Sequence, residues 1–181
     1  MAEKPIIFNT AMVRAIVAGV KTQTRRPTAK QQYEVGDLLW VRETFSNIQE
    51  EYKGIVNVIY KADFVGKVNP FNPVKWSPSI HMPKKYARTW LCVKSAHLEQ
   101  LQSITEDGML NEGVRKLTKD NTVYKYAIYD HFDYSSVPWS DMPRAPIEVF
   151  RSTWDAIYAE RGLGWDKNPF VWVYKFRRVR L

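Results

Sequence analysis

Val35-Gly36-Asp37-Leu38-Leu39-Trp40-Val41-Arg42-Glu43 reads as a turn that feeds a β-strand. Gly and Asp supply turn chemistry, and Leu38 to Arg42 is an apolar run with aromatic and β-branched members, which suits a strand. Upstream, Pro5-Ile6-Ile7-Phe8 predicts a short buried strand. Asn9 or Thr10 can then cap a helix on which Met12, Ile16 and Val20 recur at helical spacing, with Gly19 near its end. Lys21 to Arg26 is polar and predicts an extended exit, and Pro27 stops any helix.

Downstream, Ile55–Tyr60 alternates as a strand, and residues 66–85, with Pro70, Pro73, Pro78 and Pro83, predict a long irregular loop. Thr89–Leu98 is strand-like, and Thr105-Glu106-Asp107 opens a short helix. Residues 118–144 are rich in Tyr, Asp and Ser and predict an insertion or lid within one domain spanning 1–181. Pro146 suits the first turn of a helix whose apolar stripe is Ile147, Phe150, Trp154, Ile157 and Tyr158. Gly162 and Gly164 end it, and Phe170–Phe176, apolar on both faces, predicts a central strand. Strands interrupted by few helices, without βαβ alternation, point to an α+β fold or a small barrel with helices outside. Phe8, Ile16, Leu39, Val41, Leu91, Val93, Phe150, Trp154, Val171 and Val173 are the expected core.

The 181 residues are 45% hydrophobic and 25% charged, an ordinary globular balance. A net charge of +8 favours polyanionic partners such as RNA, DNA or acidic membrane. Aromatic residues reach 14%, which serves either a core or base stacking. Cys92 is the only cysteine, so an intrachain disulfide and a cysteine-based metal site are excluded. The three histidines are scattered, so no metal is expected, and neither a Gly-rich phosphate loop nor a dinucleotide fingerprint is present, so no cofactor is expected. No apolar stretch is long enough to span a bilayer and the start lacks a signal-peptide pattern, so a cytoplasmic location without membrane contact is the expectation.

Gly19-Val20-Lys21-Thr22-Gln23-Thr24-Arg25-Arg26 resembles the signature of the ASCH family, of the PUA-like superfamily. Pro5–Phe8 with Met12–Ile16 resembles its opening strand and helix, and Gly36–Glu43 its "GD-x-LWVRE" strand. Trp76–Pro83 resembles a loop of phage-encoded members, and Asp166–Val173 their closing strand. The resemblance implies a PUA-like small mixed β-barrel with flanking helices and a cleft beside the first helix that contacts RNA or a nucleoside. One bacterial relative hydrolyses the amide of 4-acetylcytidine with a Lys and a Thr that match Lys21 and Thr24, and with a Glu on a central strand. The strand Thr89–Lys94 sets Cys92 where that Glu is expected.

These residue types can support such chemistry. A Thr hydroxyl such as Thr24 needs a base to become a nucleophile. Lys21 can hold developing negative charge or, when buried, act with a lowered pKa. Glu43 is the nearest replacement for the missing acid, with an ion pair to Arg42 or a lysine as the alternative. Arg25 and Arg26 suit phosphate, as bidentate donors. Thr22 belongs to the same expected binding segment, and Trp76, His81, Lys84 and Lys85 form an expected stacking and phosphate-contact loop. Three functions follow as expectations: a nucleic-acid or nucleoside binder, a metal-independent amidohydrolase or ribonuclease, and a phage structural or regulatory protein acting through protein contacts. The Tyr-rich 118–144 stretch favours the last.

Overall fold

A computed structural model of the chain describes residues 1–50, 55–64, 74–128 and 138–180. The fold is α+β. The main sheet has the order β1 (Glu3–Ile7), β3 (Leu38–Arg42), β6 (Trp90–Gln100), β9 (Phe170–Val179), β2 (Gln23–Arg26). β1 and β3 are parallel, and the other pairings are antiparallel. Two hairpins flank it, β4 (Phe45–Glu50) with β5 (Ile55–Tyr60), and β7 (Val114–Thr118) with β8 (Tyr124–Ile128). The helices are α1 (Thr10–Val17), α2 (Glu106–Asn111) and α3 (Pro146–Tyr158).

The expected barrel is not closed by backbone pairing: among the described residues β1 and β2 remain unpaired edges of one sheet. Four strand spacings separate them, roughly 19 Å if the sheet were flat. Arg26 of β2 nevertheless donates to the carbonyl of Ile7 on β1 at 2.7 Å. A single side chain cannot span the flat distance, so the sheet is strongly curled. Val13 and Ile16 of α1 pack into the concave side with Leu39, Val41, Leu91, Val93 and Phe176. The gap closes through side chains because residues 27–37 run as a connector rather than a strand. Tyr33 donates to Pro5, and the Tyr174 hydroxyl accepts from the Gln32 amide.

The local reasons match the sequence. Asn9 caps α1 by accepting from the Met12 amide, and Gly19 exits it in the left-handed region at φ 76°. Thr105 caps α2 through the Gly108 amide. Pro146 sits at the start of α3. All ten expected core residues are buried. They divide into two clusters: one under α1, and one in which Phe150 and Trp154 of α3 meet Val171 and Val173 of β9.

Of the 118–144 stretch, residues 124–128 form a strand, and Tyr126 packs into the second cluster. Residues 129–137 lie outside the described set, as do 65–73 of the expected long loop. The described part of that loop, from 74, carries single 3₁₀ turns at Ser79–His81 and Lys84–Tyr86. No helix among the described residues is long and apolar enough to cross a membrane.

Asp37 ties the start of β3 in place. Gly36 turns with φ 91°, and the Asp37 carboxylate then accepts from the Ala2 and Glu34 amides and pairs with Lys4 at 2.7 Å. Burial opposes its ionisation, but Lys4 and the two amides outweigh that and hold its pKa at about 2. A depressed carboxylate pKa stabilises the fold above the ordinary value of 3.8, and that stability is lost as pH falls toward 2. With Lys4 partly exposed, the contribution is about 1–2 kcal/mol. Asp37→Asn is expected to lose it at pH 7 and to flatten the stability profile between pH 4 and 2, read by urea denaturation.

Candidate functional site

Lys21 follows the exit of α1 and its ammonium is fully buried. It donates to the Glu112 carboxylate at 2.7 Å and to the Glu112 carbonyl at 2.9 Å. Burial lowers the Lys21 pKa, Glu112 partly offsets this, and Arg26 and Arg25 add to the lowering. Glu112 stands at the C-terminus of α2, where Gly113 turns the chain with φ 106°. A side chain at Gly113 would press its Cβ to 3.4 Å from that of Ala15, besides the backbone strain.

Arg25 joins this pair to a second carboxylate. Its Nη1 donates to Glu112 at 3.0 Å, and its Nη2 to Glu99 at 2.7 Å. His97 lies 3.2 Å from the other Glu99 oxygen. The result is a chain Lys21–Glu112–Arg25–Glu99–His97 that runs from the interior to the surface. Neighbouring contacts dock β2 on α2: Gln23 donates to the Gly108 carbonyl and Thr22 to Asn111.

Two spaces flank β2. One is a cavity of about 50 Å³ bordered by Thr24, Arg25, Arg26, Glu112 and side chains of α3. The other is a polar groove of about 390 Å³ bordered by Gln23, Arg25, His97, Glu99, Asn111 and Lys175, with Ser103 and Thr105 at its wall. Only the groove reaches the usual ligand-pocket range. The cavity suits a small group or a few waters. Beside it, Arg26 pairs in register with Trp172. Arg26 Nε and Trp172 Nε1 are buried donors with no acceptor among the described residues.

The structure thus brings together Lys21, Thr22, Thr24, Arg25 and Arg26, and the carboxylate that meets Lys21 comes from Glu112 after α2, while β6 supplies Glu99 to Arg25. Cys92 lies on the face of β6 opposite Leu91 and Val93, while Lys21 lies over Phe8 on the Leu91 side. Cys92 therefore points away from Lys21. Glu43 is engaged elsewhere: Arg88 grips it with two bonds of 2.9 Å. Burial raises the Glu43 pKa, and Arg88 opposes the rise. The expected ion pair is present, but its partner is Arg88, not Arg42 or a lysine.

Trp76, His81, Lys84 and Lys85 also lie elsewhere. Trp76 packs edge-on against Phe64, and Lys84 pairs with Glu3 and covers Trp90. His81 is exposed, and Lys85 stacks over Tyr86. His97 borders the groove.

Glu112, Glu99 and His97 escaped the sequence reading. Their spacing from Lys21 carries no motif, and the one available signal was an acid just after the α2 pattern and before Gly113.

Removing Glu112 strands a buried ammonium, which typically costs about 3–5 kcal/mol. Glu112→Ala is expected to show a loss of that order in urea denaturation, and adding Lys21→Met is expected to recover part of it. In Glu112→Ala the deficit shrinks as pH rises toward 10.5, because the unfolded chain then holds the Lys21 proton more tightly than the folded one. A deficit independent of pH would show that Lys21 is not its source.

No family model matches the chain, and no curated protein matches it in sequence. Among solved structures, the chain is similar over 99% of its length, and over 81% of the other, to the ASCH domain from Lactobacillus crispatus JV V101, at 12% identity and a TM-score of 0.49.

Proposed function

We propose that this protein binds RNA or a nucleoside beside the Lys21–Thr24 segment. The observation that carries this reading is the polar groove of about 390 Å³ on the Gln23–Arg25 side of β2. Its walls combine amide, hydroxyl and imidazole groups with the carboxylates of Glu99 and Asp107 and with Lys175, a mixture that offers donors and acceptors to base edges. The basic composition and the ASCH-like signature at Gly19–Arg26 point the same way. Arg25 is held by two carboxylates, so its role is to shape the wall, and Lys175 is the exposed cation there.

A second reading is a metal-independent amidohydrolase. It is favoured by one observation: Thr24 and Glu112 border the same small cavity, and Glu112 holds Lys21. Here Glu112 would take a proton from Thr24 or from a water as it attacks the amide carbonyl and return it to the leaving amine, while Lys21 holds the Glu112 carboxylate in place. A cavity of about 50 Å³ suits an acetyl-sized group while the rest of a substrate stays outside.

For the binding reading, single-stranded RNA and nucleosides are expected to bind at low salt, with RNA affinity falling as salt rises. Gln23→Ala with Asn111→Ala is expected to weaken nucleoside binding about tenfold in calorimetry. Absence of any nucleoside or RNA affinity at low salt overturns it. For the hydrolase reading, 4-acetylcytidine turnover is expected to fall by about a hundredfold to ten-thousandfold in Glu112→Gln. No turnover by the wild type leaves a binder only.

A further inference from the structure

We infer that the convex face of the sheet is a second contact surface, one on which single-stranded RNA lies across Trp40 and Trp90. Leu39, Val41, Leu91 and Val93 point into the core, so period-two alternation turns Leu38, Trp40, Trp90 and Cys92 outward. In register, Pro5, Trp40, Trp90 and Val179 form one row across four adjacent strands. That row spans roughly 14 Å. The next row ends in Arg177 on β9.

Among the described residues no α-helix covers this part of the face. α1 packs on the opposite side, and α2 and α3 meet only the Val171–Val173 end of β9. The 79–86 segment borders one side through Lys84 over Trp90 and through a bond from Arg42 to the Ile80 carbonyl. Both tryptophans remain half-buried rather than buried, and Ile7 and Ile80 beside them are exposed. Aromatic rings left at the surface in this way mark a contact site.

Charge identifies the occupant. Arg42 lies over Trp40 and Lys84 over Trp90, Arg177 ends the next row, and exposed Lys94 follows Cys92 on β6; among the described residues the acid in these rows is Glu3, which Lys84 already pairs. Arg42 lies 5.5 Å from the Trp40 ring, and its Nε is buried with no acceptor among the described residues. An unmet donor beside an aromatic ring, within a ring of cations, fits a phosphate next to a stacked base. Apolar peptide or lipid partners would leave this excess of cations uncompensated. The surface also gives a place to Lys84, which the β2 groove does not use. It shares its class of partner with the groove proposed above but rests on different residues, so each can fail alone.

The test uses the full chain and a twelve-nucleotide uridine RNA. Lys94→Glu with Arg177→Glu is expected to weaken binding at least tenfold and to lower the salt slope by about 1.4, for two lost phosphate contacts. Trp90→Ala is expected to weaken it about tenfold, and Trp90→Phe to restore most of that. With 5-iodouridine in the strand, photocrosslinks are expected at Trp40 or Trp90. Cytidine binding in the groove should survive all of these variants. If cytidine does not bind but the RNA depends on this face, the groove reading fails and this one stands. RNA binding that ignores the charge reversals, or crosslinks confined to other residues, overturns the inference. So does binding of polyglutamate or anionic vesicles as tight as that of the RNA.

Discussion

An ammonium group loses its water when Lys21 is buried, and that loss is tolerable only because Glu112 meets it with both a carboxylate oxygen and its own carbonyl. Much of the molecule follows from this contact. Lys21 leaves α1 and leads into β2, while Glu112 ends α2, so their pairing holds the edge of the main sheet against the second core. Arg25 extends the tie to Glu99 on β6, and Thr22 and Gln23 add bonds to α2. Gly113, with φ 106°, turns the chain directly after Glu112, a backbone conformation that other residues adopt only with strain.

Because β2 is an edge strand, its alternation exposes two chemistries on two sides. Gln23 and Arg25 look into the polar groove. Thr24 and Arg26 border the small cavity under α3. Arg25 is long enough to border both, and its carboxylate partners keep it there. A ligand on either side would meet the same ionic chain. Curling of the sheet completes the arrangement: it brings Ile7 within reach of Arg26, with α1 on the concave side and α2 and α3 on the Val171–Val173 end of the other face.

Glu43 shows how the same physics serves stability instead. It too is a buried carboxylate, but Arg88 meets both its oxygens, and Asp63 and the Tyr60 ring surround that guanidinium. Its charge is absorbed locally by that guanidinium. Lys21 and Glu112 differ in that their cluster borders open space.

Short-range order was legible in the sequence because it depends on neighbours a few residues apart. The Asn9 and Thr105 caps, the Gly36 turn, the Pro146 start and the alternation of Leu38–Arg42 are all local, and the ten core positions follow from period and apolarity. Lys21, Thr24 and Arg25 were legible as one segment because they are adjacent in the chain. Glu112, Glu99 and His97 were not, since they meet Arg25 and Lys21 from 74 or more residues away or through Glu99, and no local rule encodes such distances. The same limit placed Glu43 near Lys21 in expectation and beside Arg88 in fact. Sequence alone determined the ten apolar core positions and the basic character of the chain. Only the tertiary structure decided which carboxylate each buried cation meets, because that choice is set by the curl of the sheet and the docking of α2.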